Sequence, residues 1–209
     1  MTGRSWSDRG PAFGILAVIL FVIAFAVGGE TPDLNSSGQE VIDYYTSNNG
    51  SQVAAAILLA YGALFLSLFA GVLSNALRRS DRDMGSLPGL VLGGGILMGL
   101  GFAIFAAISV TLADLGSDAE AGAAQALNAL SNDFFFPLAI GTGIFMLASA
   151  VAVLRGGGLP RWLGWAALVI GIAAVSPAGF FAVLASGIWI VIASVILLRA
   201  PRPSPASGT

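Results

Sequence analysis

Two aspartates, Asp114 and Asp133, stand at the edges of a polar loop between uncharged apolar runs. Oxygen ligands placed this way suit a hard divalent cation, Ca²⁺ or Mg²⁺, at the rim where the two runs end. Just before them lies LVLGGGILMGLG, residues 90–101, where Gly93, Gly95 and Gly99 follow apolar residues and Asp114 comes nineteen residues after Gly95. That is the outline of a dinucleotide-binding turn with an acid placed for a ribose hydroxyl. The same glycines also describe the smooth face of a helix pressed against another helix in a membrane.

Absent residue types narrow the chemistry further. The chain has no His and no Cys, and all nine of its basic residues are Arg. Zinc proteases, His-ligated haem, iron–sulfur clusters and Ser–His triads are therefore excluded. A Ser–Lys dyad, a Schiff base and a P-loop lysine are excluded as well. General acid–base work by paired carboxylates needs a pocket, and the sequence shows none, so the expectation is a protein without catalytic activity or cofactor.

The elements that must position these residues follow from composition. Of 209 residues 56% are hydrophobic and only 10% are charged, with a mean hydropathy of +0.89. Soluble domains carry roughly a quarter charged residues, so this chain cannot cover a water-facing surface. Its apolar residues form uncharged blocks over 11–29, 53–77, 87–113, 134–154 and 162–198. A helix rises 1.5 Å per residue, so about 20 residues cross the hydrocarbon layer. The last block is far longer than one crossing and is interrupted by SPAG, residues 176–179, in which Pro177 lacks a donor. The expected fold is all-α: a polytopic transmembrane helical bundle with spans at about 11–29, 53–77, 88–113, 134–154, 162–175 and 180–198. A short segment, 1–10, precedes it, and a disordered tail, 200–209, follows.

With six spans, every arginine falls on one side: Arg4, Arg9, Arg78, Arg79, Arg82, Arg155, Arg161, Arg199 and Arg202. The positive-inside rule makes that side, and both chain ends, cytoplasmic, in the cell's inner or plasma membrane. Arg4, Arg9 and the motif Ala24-Phe25-Ala26 imitate a secretory signal, but the apolar run is long enough to span and is read as the first helix. The opposite side carries Glu30, Asp33, Glu40, Asp43, Asp114, Asp118, Glu120 and Asp133 with no base. A cation site at Asp114 and Asp133 competes with a plainer reading, that outer loops exclude arginine yet must stay soluble. No loop has the ligand spacing of a known calcium motif.

Small residues recur at four-residue intervals. Gly95, Gly99 and Ala103 form one row with Ala107; Gly85, Gly89 and Gly93 form another; Ala63, Ser67 and Gly71 form a third. Glycine rows inside an uncharged run of membrane length are packing surfaces, because small residues let helix backbones approach closely. The nucleotide reading is rejected, since its turn needs a strand before it and alternating strands and helices around it. Ser37 with Glu40, and Ser117 with Glu120, have capping-box spacing and open two short outer helices. In the second, Ala123, Leu127, Leu130 and Phe134 fall at helical intervals. Trp189 sits near mid-span and needs an acceptor on a neighbouring helix. Trp162 and Trp165 suit the inner interface, and the run Phe134-Phe135-Phe136 suits a belt or plug at the outer one.

NDFFFPL and LPRWLGW, residues 132–138 and 159–165, resemble a group of bacterial, chiefly actinobacterial, integral membrane proteins of this length and of unknown function. The resemblance runs from about Pro11 to Arg199 and implies a six-helix membrane protein without implying an activity. Function is therefore expected to be non-enzymatic, through helix packing as a homo-oligomer or as an accessory subunit beside a membrane-protein partner. Membrane lipids are the other expected partner, and nucleic acid is not one. The alternative is a facilitator or channel for a small neutral or cationic solute, with the acidic face as its mouth.

Overall fold

The computed structural model describes residues 9–80, 83–116, 119–133 and 135–200. Arg4, Arg82, Arg202, the capping residue Ser117, Asp118, Phe134 and the tail lie outside the described residues. Among those described the structure is helical: α1 (Ala12–Gly28), α2 (Gly38–Ser47), α3 (Asn49–Ser80), α4 (Leu87–Asp114), α5 (Ala121–Asp133), α6 (Phe135–Leu154), α7 (Arg161–Ala174) and α8 (Gly179–Arg199). Each apolar block of the sequence is a helix within a few residues of its expected limits, and SPAG separates α7 from α8. There Gly179 N–H donates to Ser176 O at 2.9 Å and the Ser176 hydroxyl donates to Ala173 O at 2.8 Å, so the turn satisfies its own backbone. At SNNG, residues 47–50, the helices are separated by a single residue, Asn48, and α3 starts four residues before the apolar block does.

Glycine sets the helix register. On α3 and α4, a Cβ at Gly99 would lie 2.9 Å from Ser67 Oγ and 3.0 Å from Ala63 O, and a Cβ at Gly95 would collide with the Ala70 methyl. The Ser74 hydroxyl donates to Pro88 O at 2.6 Å further along the same seam. Rising numbers on one helix meet falling numbers on the other, so the pair is antiparallel. On the other side of α4, Gly94 faces the backbone of Ile144 and Phe145, and Gly101 faces Leu138. Gly141 of α6 answers by facing the backbone of Leu97 and Met98. α4 thus carries glycine on two faces, one for each neighbour.

Similar notches continue around the bundle. Phe21 of α1 enters the notch at Gly62 of α3, Leu147 of α6 packs over Gly171 of α7, and Ile190 and Ser194 of α8 close on Gly14 of α1. Consecutive helices of the bundle are antiparallel, and the last returns to the first. Inside, Phe69, Leu66, Leu73, Phe145, Met146 and Trp189 are buried and fill the axis.

This topology gathers the described arginines, Arg9, Arg78, Arg79, Arg155, Arg161 and Arg199, at one end of the bundle. Glu30, Asp33, Glu40, Asp43, Asp114, Glu120 and Asp133 lie at the other. Between the ends, each of these six apolar helices exposes large apolar side chains: Val22 on α1, Ile57 on α3, Leu100 on α4, Ile140 on α6, Val169 on α7 and Ile188 on α8 are each exposed. A belt of that kind is stable only against lipid. Four segments are long and apolar enough to cross a membrane, those carrying α3, α4, α6 and α8. α1 and α7 are shorter, with 17 and 14 residues. The chain is therefore a helical protein with the character of a membrane bundle.

Candidate functional site

The acidic end is built from two short helices laid over the ends of the long ones. α2 forms because Ser37 and Glu40 make a complete capping box: Glu40 N–H donates to Ser37 Oγ at 3.3 Å, and Ser37 N–H donates to Glu40 Oε2 at 2.8 Å. Its apolar edge, Val41, Ile42 and Tyr45, packs with Ile108, Leu112 and Ala113 of α4 and Ala124 of α5 into a small separate core. At about 1.5 Å per residue, the 32 residues of α3 reach roughly 48 Å, well beyond a hydrocarbon layer. The surplus length of α3 and α4 supports this cap.

α5 packs through Ala124, Leu127 and Asn128, whereas Ala123 and Leu130 are exposed. The packed edge is thus rotated from the apolar one marked in the sequence. The two helices approach closely at their starts, where Gly38 of α2 has no room for a side chain against the Ala121 carbonyl.

Side-chain amides tie the cap to the bundle. Asn128 Nδ2 donates to Asp33 O at 2.8 Å, and Asn49 Nδ2 donates to Ala113 O at 2.7 Å. Gln52 Nε2 donates to Gly28 O at 2.7 Å and to the Tyr44 hydroxyl at 3.0 Å, and that hydroxyl itself donates to Gly28 O at 3.1 Å. The carbonyl at the end of α1, left open where the helix stops, is satisfied twice. Sequence reading did not single out these amides; their signal was a lone polar group on an otherwise apolar helix face, as with Gln52 and Asn128.

Burial holds both cap tyrosines protonated. Desolvation raises Tyr44, partly offset by its bond from Gln52, and desolvation with the neighbouring Tyr44 charge pushes Tyr45 up to about 12. A folded pKa above the unfolded value of 10.0 means that this contribution to cap stability is fully present below pH 10 and is lost as the pH rises toward 12. Phenolate absorbance of Tyr45 is expected to appear only as the pH approaches about 12. Cap proteolysis should increase over the same interval while helical content persists.

Two cavities open at this end. One is a shallow depression of about 470 Å³ lined by Asp33, Leu34, Asn35, Ser36, Glu40 and Asn132. The other, about 90 Å³, lies between the ends of α1, α3 and α4, where Phe25, Leu59 and Phe105 meet Gln52 and Ser109. Asp114 and Asp133 line neither. Both are exposed, at the C-terminal ends of α4 and α5, and no group of three or more His, Cys, Asp or Glu able to hold a metal occurs among the described residues. The carboxylates provide a negative surface.

The packing residues marked in the sequence divide into two sets. Gly95, Gly99, Ala63 and Ser67 meet one another, with Ala70, inside the α3–α4 seam. Ala103 is partly buried against the same core, and a Cβ at Gly71 would lie 3.9 Å from Leu92 Cδ1, an ordinary contact. Gly89 and Gly93 are exposed, with nothing within 4 Å of a Cβ at either. Gly94, Gly101 and Gly141, absent from the four-residue rows, make the backbone contacts between α4 and α6. Spacing of seven between Gly94 and Gly101 was their signal, since seven residues are close to two turns. Trp189 finds its acceptor: its indole Nε1–H donates to Leu163 O of α7 at 2.8 Å. Against family models, curated proteins and solved structures, the chain finds no match.

Proposed function

We propose that the chain is a six-span protein of the cell's inner or plasma membrane, with both ends cytoplasmic, that has no catalytic activity and works by packing against another membrane helix. The partner is a second copy or a protein to which this chain is an accessory subunit. Support comes from the outward face of α4, where Gly89 and Gly93 leave a strip without side chains among exposed Leu90, Leu97 and Leu100. The filled bundle axis argues against a facilitator. Liposome flux that falls with Asp114→Asn and Asp133→Asn would restore that alternative.

Sizing and native mass spectrometry in mild detergent test the packing reading. The wild-type protein should run as an oligomer or carry a stoichiometric partner. Gly89→Leu with Gly93→Leu should dissociate the assembly while leaving the melting temperature within about 3 °C, because neither position has an internal neighbour. A wild-type monomer without a partner ends this reading.

Single cysteines test the six spans in a chain that has none of its own. Ser36→Cys and Gly122→Cys should react with an impermeant maleimide on intact cells, and Ser80→Cys and Ala200→Cys only after permeabilisation. Should α7 fail to cross, Ala200→Cys reacts from outside.

A further inference from the structure

The last turn of α3 and the α6–α7 loop touch at the end of the bundle opposite the cap. Gly157, in the α6–α7 loop, lies where a Cβ would be 2.6 Å from Leu77 Cδ2 of α3, and Gly158 lies against Ser80. Arg78 and Arg79 are in the same turn as Leu77 and Ser80, and Arg155 and Arg161 bracket the glycine loop. None is more than three residues from a contacting residue, so roughly 11 Å of backbone at most separates any of them from the junction. All four are exposed, and none has an ion-pair or hydrogen-bond partner among the described residues. Asp83, in the α3–α4 loop, has a partner of its own.

Two further features favour an anion there. Pro160 caps α7 without a side-chain bond; Leu163 N–H turns back onto Pro160 O at 2.9 Å, and the Arg161 and Trp162 amides are left at the positive end of the helix without a side-chain acceptor. Beside Arg161, Trp162 and Trp165 are 55% and 59% exposed, one turn apart. An indole in that position prefers the boundary between headgroups and acyl chains, which a soluble anion site would not need.

We propose that Arg78, Arg79, Arg155 and Arg161, with the uncapped turn of α7, form a headgroup site for an anionic glycerophospholipid of the cytoplasmic leaflet. Guanidinium forks match phosphate oxygens in pairs, and the two tryptophans sit at the level of the glycerol backbone. The site rests on the membrane placement proposed above but not on any protein partner. Because two segments distant in sequence supply it, its selectivity differs from a general positive surface, where each arginine adds a similar share.

The full-length protein in vesicles tests this through quenching of tryptophan fluorescence by lipids brominated near the headgroup. Brominated phosphatidylglycerol should bind about tenfold more tightly than brominated phosphatidylcholine, the scale expected for a few arginines at an interface. Arg78→Gln with Arg79→Gln, and separately Arg155→Gln with Arg161→Gln, should each reduce that preference to about twofold or less. Arg9→Gln with Arg199→Gln, at the same end but on neither of the two touching segments, should leave it intact. Equal quenching by both lipids, or equal losses in all three pairs, overturns the site. Abolition of the preference by millimolar inorganic phosphate overturns it in favour of a soluble anion. A chain that does not float with the vesicles overturns the membrane placement itself, a failure separable from equal quenching in a chain that floats.

Discussion

Leucine at Gly141 or Gly94 abolishes the monodisperse folded protein, and alanine at either position lowers its melting temperature by about 6–12 °C. The reason lies in the α4–α6 seam, where these glycines face main chain rather than side chain: Leu97 and Met98 across from Gly141, Ile144 and Phe145 across from Gly94. A flexible side chain moves aside for a new methyl, whereas helical backbone moves only if the whole helix shifts. Overpacking of this kind costs about 3 kcal/mol at the upper end of its usual range, which for a chain of this length gives the stated temperature change. In a bilayer the loss is not recovered elsewhere, because helices associate there through close contact rather than by escaping water. Alanine at Gly93, which has no neighbour, is the matched control and should change stability by less than about 1 kcal/mol. Thermal scanning by size-exclusion fluorescence reads all three, and a stable Gly141→Leu protein would mean that α4 and α6 are not apposed this closely.

Trp189→Ala should cost about 3–5 kcal/mol, the usual range for emptying a buried aromatic site. Trp189 is 2% exposed and joins three helices. It is anchored on α8, its indole N–H donates to Leu163 O on α7 at 2.8 Å, and its ring meets Phe145 of α6 edge to face at a centroid distance of 6.1 Å. Trp189→Phe keeps most of the packing and loses the hydrogen bond, so a smaller loss of about 1–2 kcal/mol is expected. The ratio of the two losses, measured by thermal scanning, separates the packing contribution from the polar one. Equal losses would make the hydrogen bond, rather than the volume, the main role of the indole. α7 is the helix most dependent on this residue, since at 14 residues it has the least surface of its own with which to hold its place.

Much of the architecture was legible beforehand because lipid imposes simple demands. A spanning segment must satisfy its own backbone and present apolar side chains, so uncharged runs of about 20 residues marked the helices. Pro177 with Gly179 marked the break in the last run, and the described arginines fall only at the breaks and chain ends on one side of the bundle. Ser37 and Glu40 announced the start of α2 through a local pair of hydrogen bonds, which needs no distant partner. The seam partners were less legible. Glycines at 93, 94, 95, 99 and 101 are all compatible with close packing, and periodicity alone grouped 95 with 99 correctly but passed over 94 and 101. Direction decides the matter: successive residues on a helix point about 100° apart, so neighbouring glycines serve different helices, and only the positions of those helices say which.

The sequence by itself determined the solvent, the helices and the sidedness of charge, because each follows from local composition and spacing. Tertiary structure alone decided that Gly95 and Gly99 are consumed within the chain while Gly89 and Gly93 remain outside. It also decided that α5 presents Asn128 rather than Leu130 to its neighbour, and that the arginine-bearing end of α3 touches the distant α6–α7 loop. Those outcomes depend on which helix lies beside which, a property of relative placement that no window along a single chain contains.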